Sequence, residues 1–120
     1  MKRDMNLIRA ILVDLQENCD GRLTRTPTPD TIKYQFSGTD LEFREHCRLI
    51  VERGLADIIP GRKDYSFARL TWAGHDFLDN SKDSNVWQAA MKAAGHLSFD
   101  IFSKVLVEAA TRLAMSQLQL

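Results

Sequence analysis

The chain has 120 residues, of which 44% are hydrophobic, and carries 16 basic and 16 acidic side chains. This length and composition suit one domain whose core needs neither disulfides nor a metal ion. The formal net charge is zero, and no segment has the basic excess with which dedicated DNA-binding proteins usually neutralise phosphates.

A first helix is predicted over residues 4–19, where apolar side chains recur at three- and four-residue spacing and form one buried stripe. Asp20 and Gly21 are predicted to end it, and residues 22–30 form a loop. No apolar signal segment precedes this helix, so we expect a cytoplasmic protein.

A strand is predicted next, over residues 31–36, because every second side chain is apolar. Its buried face would carry Ile32, Tyr34 and Phe36. A second helix, residues 40–53, can be capped by Thr39 or Asp40 and ends at Gly54.

A β-hairpin is predicted from two short runs, residues 55–59 and 65–71, separated by a Gly-Arg-Lys-Asp turn. Thr71 ends the second run and is a good N-cap for the helix that follows. Gly74 has no side chain, which allows this helix to lie close to the sheet.

Two further helices are predicted at the C-terminus: a short one over residues 86–94 and a long one that begins at Ser98. The long helix has a main apolar stripe of Phe99, Phe102, Leu106, Ala109, Ala110 and Leu113. Three apolar residues lie outside this stripe: Ile101, Val105 and Val107. A ladder of alternating charge, which excludes a membrane span, consists of Asp100, Lys104, Glu108 and Arg112.

The order helix, strand, helix and hairpin, with the Leu-Thr-x-x-Gly joint at residues 70–74, resembles the winged-helix superfamily. Residues 1–9, residues 69–79 and the pair Val86-Trp87 resemble the small phage and bacterial proteins grouped as domain of unknown function 2513. This resemblance implies a winged-helix-like fold and a phage or prophage setting, but no activity. Members usually have an acidic residue where Asn6 stands, and residues 22–38 match least.

We therefore expect a single α+β domain, residues 1–120, with a winged-helix-like core at 1–82 and a helical extension at 83–120. In such a fold, residues 40–53 occupy the recognition-helix position and the hairpin turn is the wing tip. The candidate contacts to nucleic acid or a partner are Arg44, Arg48, Arg62 and Lys63. The alternative is a solvated helix face with an ordinary basic turn, since three glutamates share that face.

The residues that could take part in catalysis, metal binding or ligand contact are each interpreted as structural. Cys19 and Cys47 match no metal-ligand or redox spacing, and we interpret both as reduced core residues. His75-Asp76 is interpreted as securing a helix start, and Trp72 and Trp87 as core residues. We expect no catalytic residue, no metal and no cofactor, and so not an enzyme.

Two functions remain open at this point. The favoured one is a non-catalytic accessory protein of phage or prophage type that binds another protein, such as a host or defence component. The alternative is a winged-helix transcriptional regulator that binds double-stranded DNA. We also expect a homodimer formed through Ile101, Val105 and Val107, because one core cannot cover both these residues and the main stripe.

Overall fold

The computed structural model describes residues 2–19 and 22–118. Within them the chain is an α+β protein with five helices and one two-stranded antiparallel sheet. The elements in chain order are α1 (Met5–Asn18), α2 (Asp40–Glu52), β1 (Ala56–Ile58), β2 (Phe67–Leu70), α3 (Trp72–Asn80), α4 (Ser84–Ala94) and α5 (Phe99–Leu118). The chain divides into two compact units, Met1–Asp76 and Phe77–Leu120.

Helix α1 supplies much of the core of the first unit. Its predicted apolar stripe is confirmed: Met5, Ile8, Ile11, Leu12 and Leu15 are all at most 1% exposed. Asp4 caps the helix, accepting a hydrogen bond from the amide of Leu7 at 3.2 Å. The predicted stop at Asp20 and Gly21 lies outside the described residues.

The predicted strand over residues 31–36 is wrong, because this segment forms turns and bends and pairs with neither strand. The free edge of β2 is occupied by Arg25, whose backbone exchanges two hydrogen bonds with Phe67, of 3.0 and 2.8 Å. The alternating side chains serve other contacts. Ile32 is buried, Tyr34 binds a carboxylate, and the ring of Phe36 lies 6.1 Å from that of Phe43.

Helix α2 begins and ends as predicted. Thr39 and Glu42 form a reciprocal capping box, and the hydrogen bond from the Thr39 backbone lowers the pKa of Glu42. Gly54, with a φ of 67°, takes the left-handed conformation that ends the helix. The inward face includes His46, which is 1% exposed and which the apolar pattern did not predict as buried.

The hairpin and its junction with α3 also match the prediction. β1 and β2 pair antiparallel, with an irregularity between Asp57 and Ile58. The hydroxyl of Thr71 accepts from the amide of Gly74 at 3.1 Å and donates to the carbonyl of Gly54. A Cβ on Gly74 would overlap the carbonyl oxygen of Leu55. The close approach of α3 to the backbone of Leu55 therefore requires glycine at position 74.

Trp72 is not a core residue. It is 85% exposed at the first position of α3. The inward positions of this helix are Gly74, Phe77 and Leu78, and at 100° per residue Trp72 lies about 200° from Gly74 on the helical wheel. Its side chain therefore points away from the face that α3 buries.

In the second unit, α4 and α5 pack as a helical hairpin around aromatic side chains. Asp83 caps α4 through the amides of Asn85 and Val86. The ring of Trp87, confirmed as a core residue, lies 5.3 Å from that of Phe102 and 6.0 Å from that of Phe77. Within the described residues, no helix combines the length and hydropathy needed to cross a membrane.

Candidate functional site

The predicted contact surface on α2 and the hairpin turn is assembled around Arg44. Its guanidinium donates to the carboxylate of Asp64 at 3.0 Å and to the carbonyl of Lys63 at 3.1 Å. It also lies 5.8 Å from the ring centroid of Tyr65. Arg44 thus fixes the hairpin turn against α2, and its charge is compensated by Asp64.

Arg48, one turn further along α2, is compensated within the helix. It donates to Glu45 at 3.0 Å and to Glu52 at 2.8 Å, and the hydrogen bond to Glu45 raises the pKa of Arg48. Arg62 and Lys63 are exposed, and their side chains form no ion pair among residues 2–19 and 22–118. The structure therefore brings Arg44 and Lys63 into contact, but two of the four predicted cations are already neutralised.

The predicted dimer residues do not share one face of α5. Ile101 and Val105 are one turn apart on one side, whereas Val107 lies about 120° from Ile101 and about 160° from Val105 around the helix. Ile101 and Val107 are each 47% exposed, and Val105 is half-buried.

The second half of α5 extends beyond its partner helix. α5 has 20 residues and α4 has 11, so at 1.5 Å per residue about 13 Å of α5 extends past α4. The last fully buried residue of α5 is Leu106. The main apolar stripe continues beyond it through Ala109, Ala110 and Leu113, all only half-buried.

A groove of about 390 Å³ in the first unit was not predicted from the sequence. It lies between loop residues 25–34 and the face of α1 opposite the core stripe. Ala10 and Val13 line its apolar part, while Arg9, Asp14 and Glu17 contribute charge. The one local signal was the presence of Ala10 and Val13 on the otherwise polar face of α1.

The loop that covers this groove is attached to α1 by side-chain contacts. Arg25 donates to both oxygens of Asp14 at 2.9 Å, and Asp14 is only 5% exposed. Tyr34 donates to Asp4 at 2.7 Å, and this hydrogen bond raises the pKa of Tyr34 to about 12. Lys33 pairs with Glu17 at 3.2 Å on the exposed side.

Asp4 connects this loop to α2 as well. Its backbone amide donates to Nε2 of buried His46 at 2.9 Å, and Nδ1 of the same ring lies 2.7 Å from the carbonyl of Glu42. A neutral imidazole with its proton on Nδ1 satisfies both contacts. His46 is therefore a structural residue that joins the start of α1 to α2.

The remaining reactive side chains are placed for structure. Cys47 is 2% exposed, and burial raises the pKa of its thiol to about 12, so it is not a nucleophile at neutral pH. Cys19 is also a free thiol but is half-exposed beyond the end of α1, which corrects its assignment to the core. His75 contacts Gln16 at 3.4 Å. Over residues 2–19 and 22–118, no cluster of three metal-ligating side chains occurs.

Comparison with known proteins places this chain in a family. No solved structure matches it. A protein of Haemophilus influenzae described as an uncharacterized protein is 33% identical over 110 residues, covering 84% of this chain and 85% of the relative. The family described as "Hypothetical protein (DUF2513)" matches residues 2–99. The chain belongs to this DUF2513 family.

Proposed function

We propose that this protein acts without catalysis, by binding protein through α5, and that the partner at this helix is a second copy of the chain. The observation that carries the proposal is the part of α5 that extends past α4. Met115, in this part, is 52% exposed, and Ile101, near the start of α5, is 47% exposed. Packing against a second helix would remove this apolar surface from water.

The charge order on α5 favours a copy of the same helix running antiparallel. Asp100, Lys104, Glu108 and Arg112 alternate in sign at four-residue steps. If two α5 helices cross near Leu106, Asp100 of one lies opposite Arg112 of the other, and Lys104 lies opposite Glu108. Parallel helices in register would instead juxtapose like charges.

The contact face is predicted to be the one that carries Ile101 and Val105. Residues 101, 105, 108, 112 and 115 follow four- and three-residue steps, the spacing of a seam between two helices. Val107 lies outside this seam, so only two of the three dimer residues predicted from the sequence belong to it.

Sedimentation equilibrium of three proteins tests this proposal. We expect the wild type to be a dimer at about 50 µM and the double variant Ile101→Glu, Val105→Glu to be a monomer with an unchanged helical circular dichroism spectrum. Val107→Glu, an exposed change on the same helix, is the matched control and should remain dimeric. A monomeric wild type, or a Val107 variant that dissociates as readily as the double variant, would contradict the proposal.

An accessory role of phage or prophage type, acting on a host or defence component, is the broader setting that we propose. The resemblance of residues 1–9 and 69–79 to such proteins supports it. Under this proposal the homodimer is the form that engages the further partner.

A winged-helix DNA-binding regulator is the second candidate function. It is supported by the two exposed cations, Arg62 and Lys63, at the turn of a hairpin that Arg44 holds against α2. The compensation of Arg44 by Asp64, and of Arg48 by two glutamates, weakens the case, because paired cations release fewer counterions on binding phosphate.

A salt titration of random duplex DNA binding, followed by fluorescence anisotropy, tests this second candidate. A DNA-binding protein should lose affinity steeply as salt rises. Replacing Arg62 and Lys63 with alanine should reduce the slope of log affinity against log salt by about two. Absence of binding by the wild type at low salt would eliminate the DNA-binding function.

A further inference from the structure

Trp72 presents an unoccupied aromatic surface to the solvent. It is 85% exposed, whereas every other Phe, Tyr or Trp side chain of residues 2–19 and 22–118 is buried or half-buried. Within the same residues its ring contacts no other ring or cation, and its indole N–H forms no hydrogen bond. Tryptophan is enriched among the residues that dominate binding at protein interfaces. The ring is therefore available to a partner.

The backbone that carries Trp72 is held in place by the junction of α3 with the hairpin. Thr71 caps the helix by accepting from the amide of Gly74 at 3.1 Å, and its hydroxyl donates to the carbonyl of Gly54. Gly74 lies against the carbonyl oxygen of Leu55, with no room for a side chain. A partner therefore meets a helix end that is already in place, which lowers the entropy cost of binding.

An unpaired carboxylate, that of Asp76, lies one helical turn after Trp72. Side chains four residues apart are neighbours on a helix, with Cβ atoms about 6 Å apart. Asp76 is exposed, and its carboxylate forms no ion pair or hydrogen bond in the part of the chain that the structure describes. His75, the other neighbour of Trp72 on this face, contacts Gln16 at 3.4 Å. The ring and the carboxylate are thus adjacent, and neither is engaged.

The charge beside the ring favours a cation. Asp76 is the one charged side chain among residues 70–76 when histidine is counted as neutral. The amino end of α3 adds about half a positive charge, and one of its amides is already bonded to Thr71. Asp57 stands opposite Arg69 in the pairing of β1 with β2, so these two charges offset each other. An incoming phosphate would be repelled by Asp76, whereas a cation would be attracted.

An arginine side chain matches the ring and the carboxylate at once. A guanidinium stacks on an indole face, and its N–H groups bind a carboxylate as a fork, whereas lysine offers a single hydrated charge. Arg44 already makes this pair of contacts elsewhere in the fold, with the ring of Tyr65 and the carboxylate of Asp64. Trp72 and Asp76 offer the same two groups without the arginine.

From these features we propose that Trp72 and Asp76 bind an arginine side chain on a flexible segment of a partner protein. One ring and one carboxylate form a surface smaller than the interface that two folded domains need, so a short segment is the occupant that fits. This surface belongs to α3 and not to α5, so the inference goes beyond the proposed dimer and does not depend on it.

Two peptides of nearly identical shape test the site: acetyl-Gly-Arg-Gly-amide and its citrulline analogue, in which a neutral urea replaces the guanidinium. Each is titrated into the 15N-labelled full chain at constant ionic strength and followed by NMR. The arginine peptide is expected to shift the Trp72 indole N–H and the amides of residues 73–76. A Kd of about 10 mM suits one side chain on an exposed surface. The buried indole of Trp87 is the internal control and should not shift.

The comparison among probes is the decisive readout. The citrulline peptide should bind at least about threefold more weakly than the arginine peptide, and acetyl-Gly-Glu-Gly-amide should cause no shift. Equal binding of the arginine and citrulline peptides would overturn the proposal. So would the absence of a Trp72 indole shift with the arginine peptide at up to about 50 mM. Tighter binding of octathymidylate at Trp72 would also overturn it, because Trp72 would then stack on nucleic acid bases.

Variants then assign the binding to the two residues. Asp76→Asn should weaken the arginine peptide at least about threefold and leave the citrulline peptide unchanged. Asp30→Asn, the matched control, removes another exposed carboxylate that has no ion pair within the described residues, and it should bind as the wild type does. Trp72→Ala should abolish the shifts in residues 73–76. If the Asp76 and Asp30 variants lose affinity equally, or if the Trp72 variant keeps these shifts, the proposed contact is wrong. Folding of each variant is verified from an unchanged Trp87 indole signal.

Discussion

Removing one hydroxyl, with Tyr34→Phe, should weaken the attachment of the loop to α1 by a measurable amount. The phenol donates to Oδ2 of Asp4 at 2.7 Å, and a hydrogen bond to a charged group contributes about 1.5–3 kcal/mol. Tyr34 is half-buried and Asp4 keeps access to solvent, so water screens the bond and replaces it in the variant. We therefore expect a loss of about 1.5 kcal/mol, the lower end of this range, in the free energy of unfolding at neutral pH.

This difference should depend on pH with a defined sign. The hydrogen bond to Asp4 raises the pKa of Tyr34 from 10.0 in the unfolded chain to about 12 in the folded one. The contribution of the phenol to stability is therefore complete below pH 10 and is lost as the pH rises toward 12.

Urea unfolding followed by circular dichroism measures both effects. The wild type and Tyr34→Phe should differ by about 1.5 kcal/mol near pH 8 and converge at about pH 12. Tyr65→Phe removes a hydroxyl that has no hydrogen bond in the part of the chain that the structure describes. It should change stability by less than about 0.5 kcal/mol. The proposed role of the Tyr34 hydroxyl would be refuted if the wild type and Tyr34→Phe differed by less than about 0.5 kcal/mol in unfolding free energy near pH 8. It would also be refuted if this difference did not shrink as the pH rises.

Three further predictions concern single positions. Gly74→Ala should cost about 2 kcal/mol or more in unfolding free energy, because its Cβ meets the backbone of Leu55. Gly54→Ala, in open space at positive φ, should cost only about 1 kcal/mol, and the reverse order would contradict this account. Trp72→Ala should cost less than about 1 kcal/mol in the same urea assay, since the side chain is exposed. At about pH 8, iodoacetamide should modify Cys19 at least about 100-fold faster than Cys47, and equal rates would show that Cys47 is accessible.

Features set by neighbouring residues were predictable from the sequence. The cap at Thr39, the end of α2 at Gly54 and the junction of Thr71 with Gly74 all depend on contacts that short patterns describe. The pairing of Arg48 with glutamates three and four residues away is of the same kind.

Features that depend on distant segments were not predictable in the same way. Alternation over residues 31–36 suits a strand, but it cannot show that Arg25 already occupies the edge of β2. Trp72 has the size and polarity of a core residue. It is exposed because Gly74 faces the core and Trp72 lies on the opposite side of α3.

The candidate sites also depend on contacts between distant segments, which the sequence did not predict. The compensation of Arg44 by Asp64 joins residues 20 positions apart, and no local rule predicts it. The groove exists because loop residues 25–34 lie over α1, so the sequence offered only Ala10 and Val13 on a polar helix face as a signal.

The antiparallel α5 dimer is tested most directly by exchanging charges on that helix. Sedimentation equilibrium is measured for Lys104→Glu, for Glu108→Lys and for the variant that combines them. In the proposed pairing each single reversal sets like charges opposite each other and should raise the dimer Kd about tenfold or more, whereas the combined exchange restores opposite charges and should recover the wild-type Kd. A combined variant that remains as dissociated as the single ones, or a wild type that is monomeric at about 50 µM, would contradict the account.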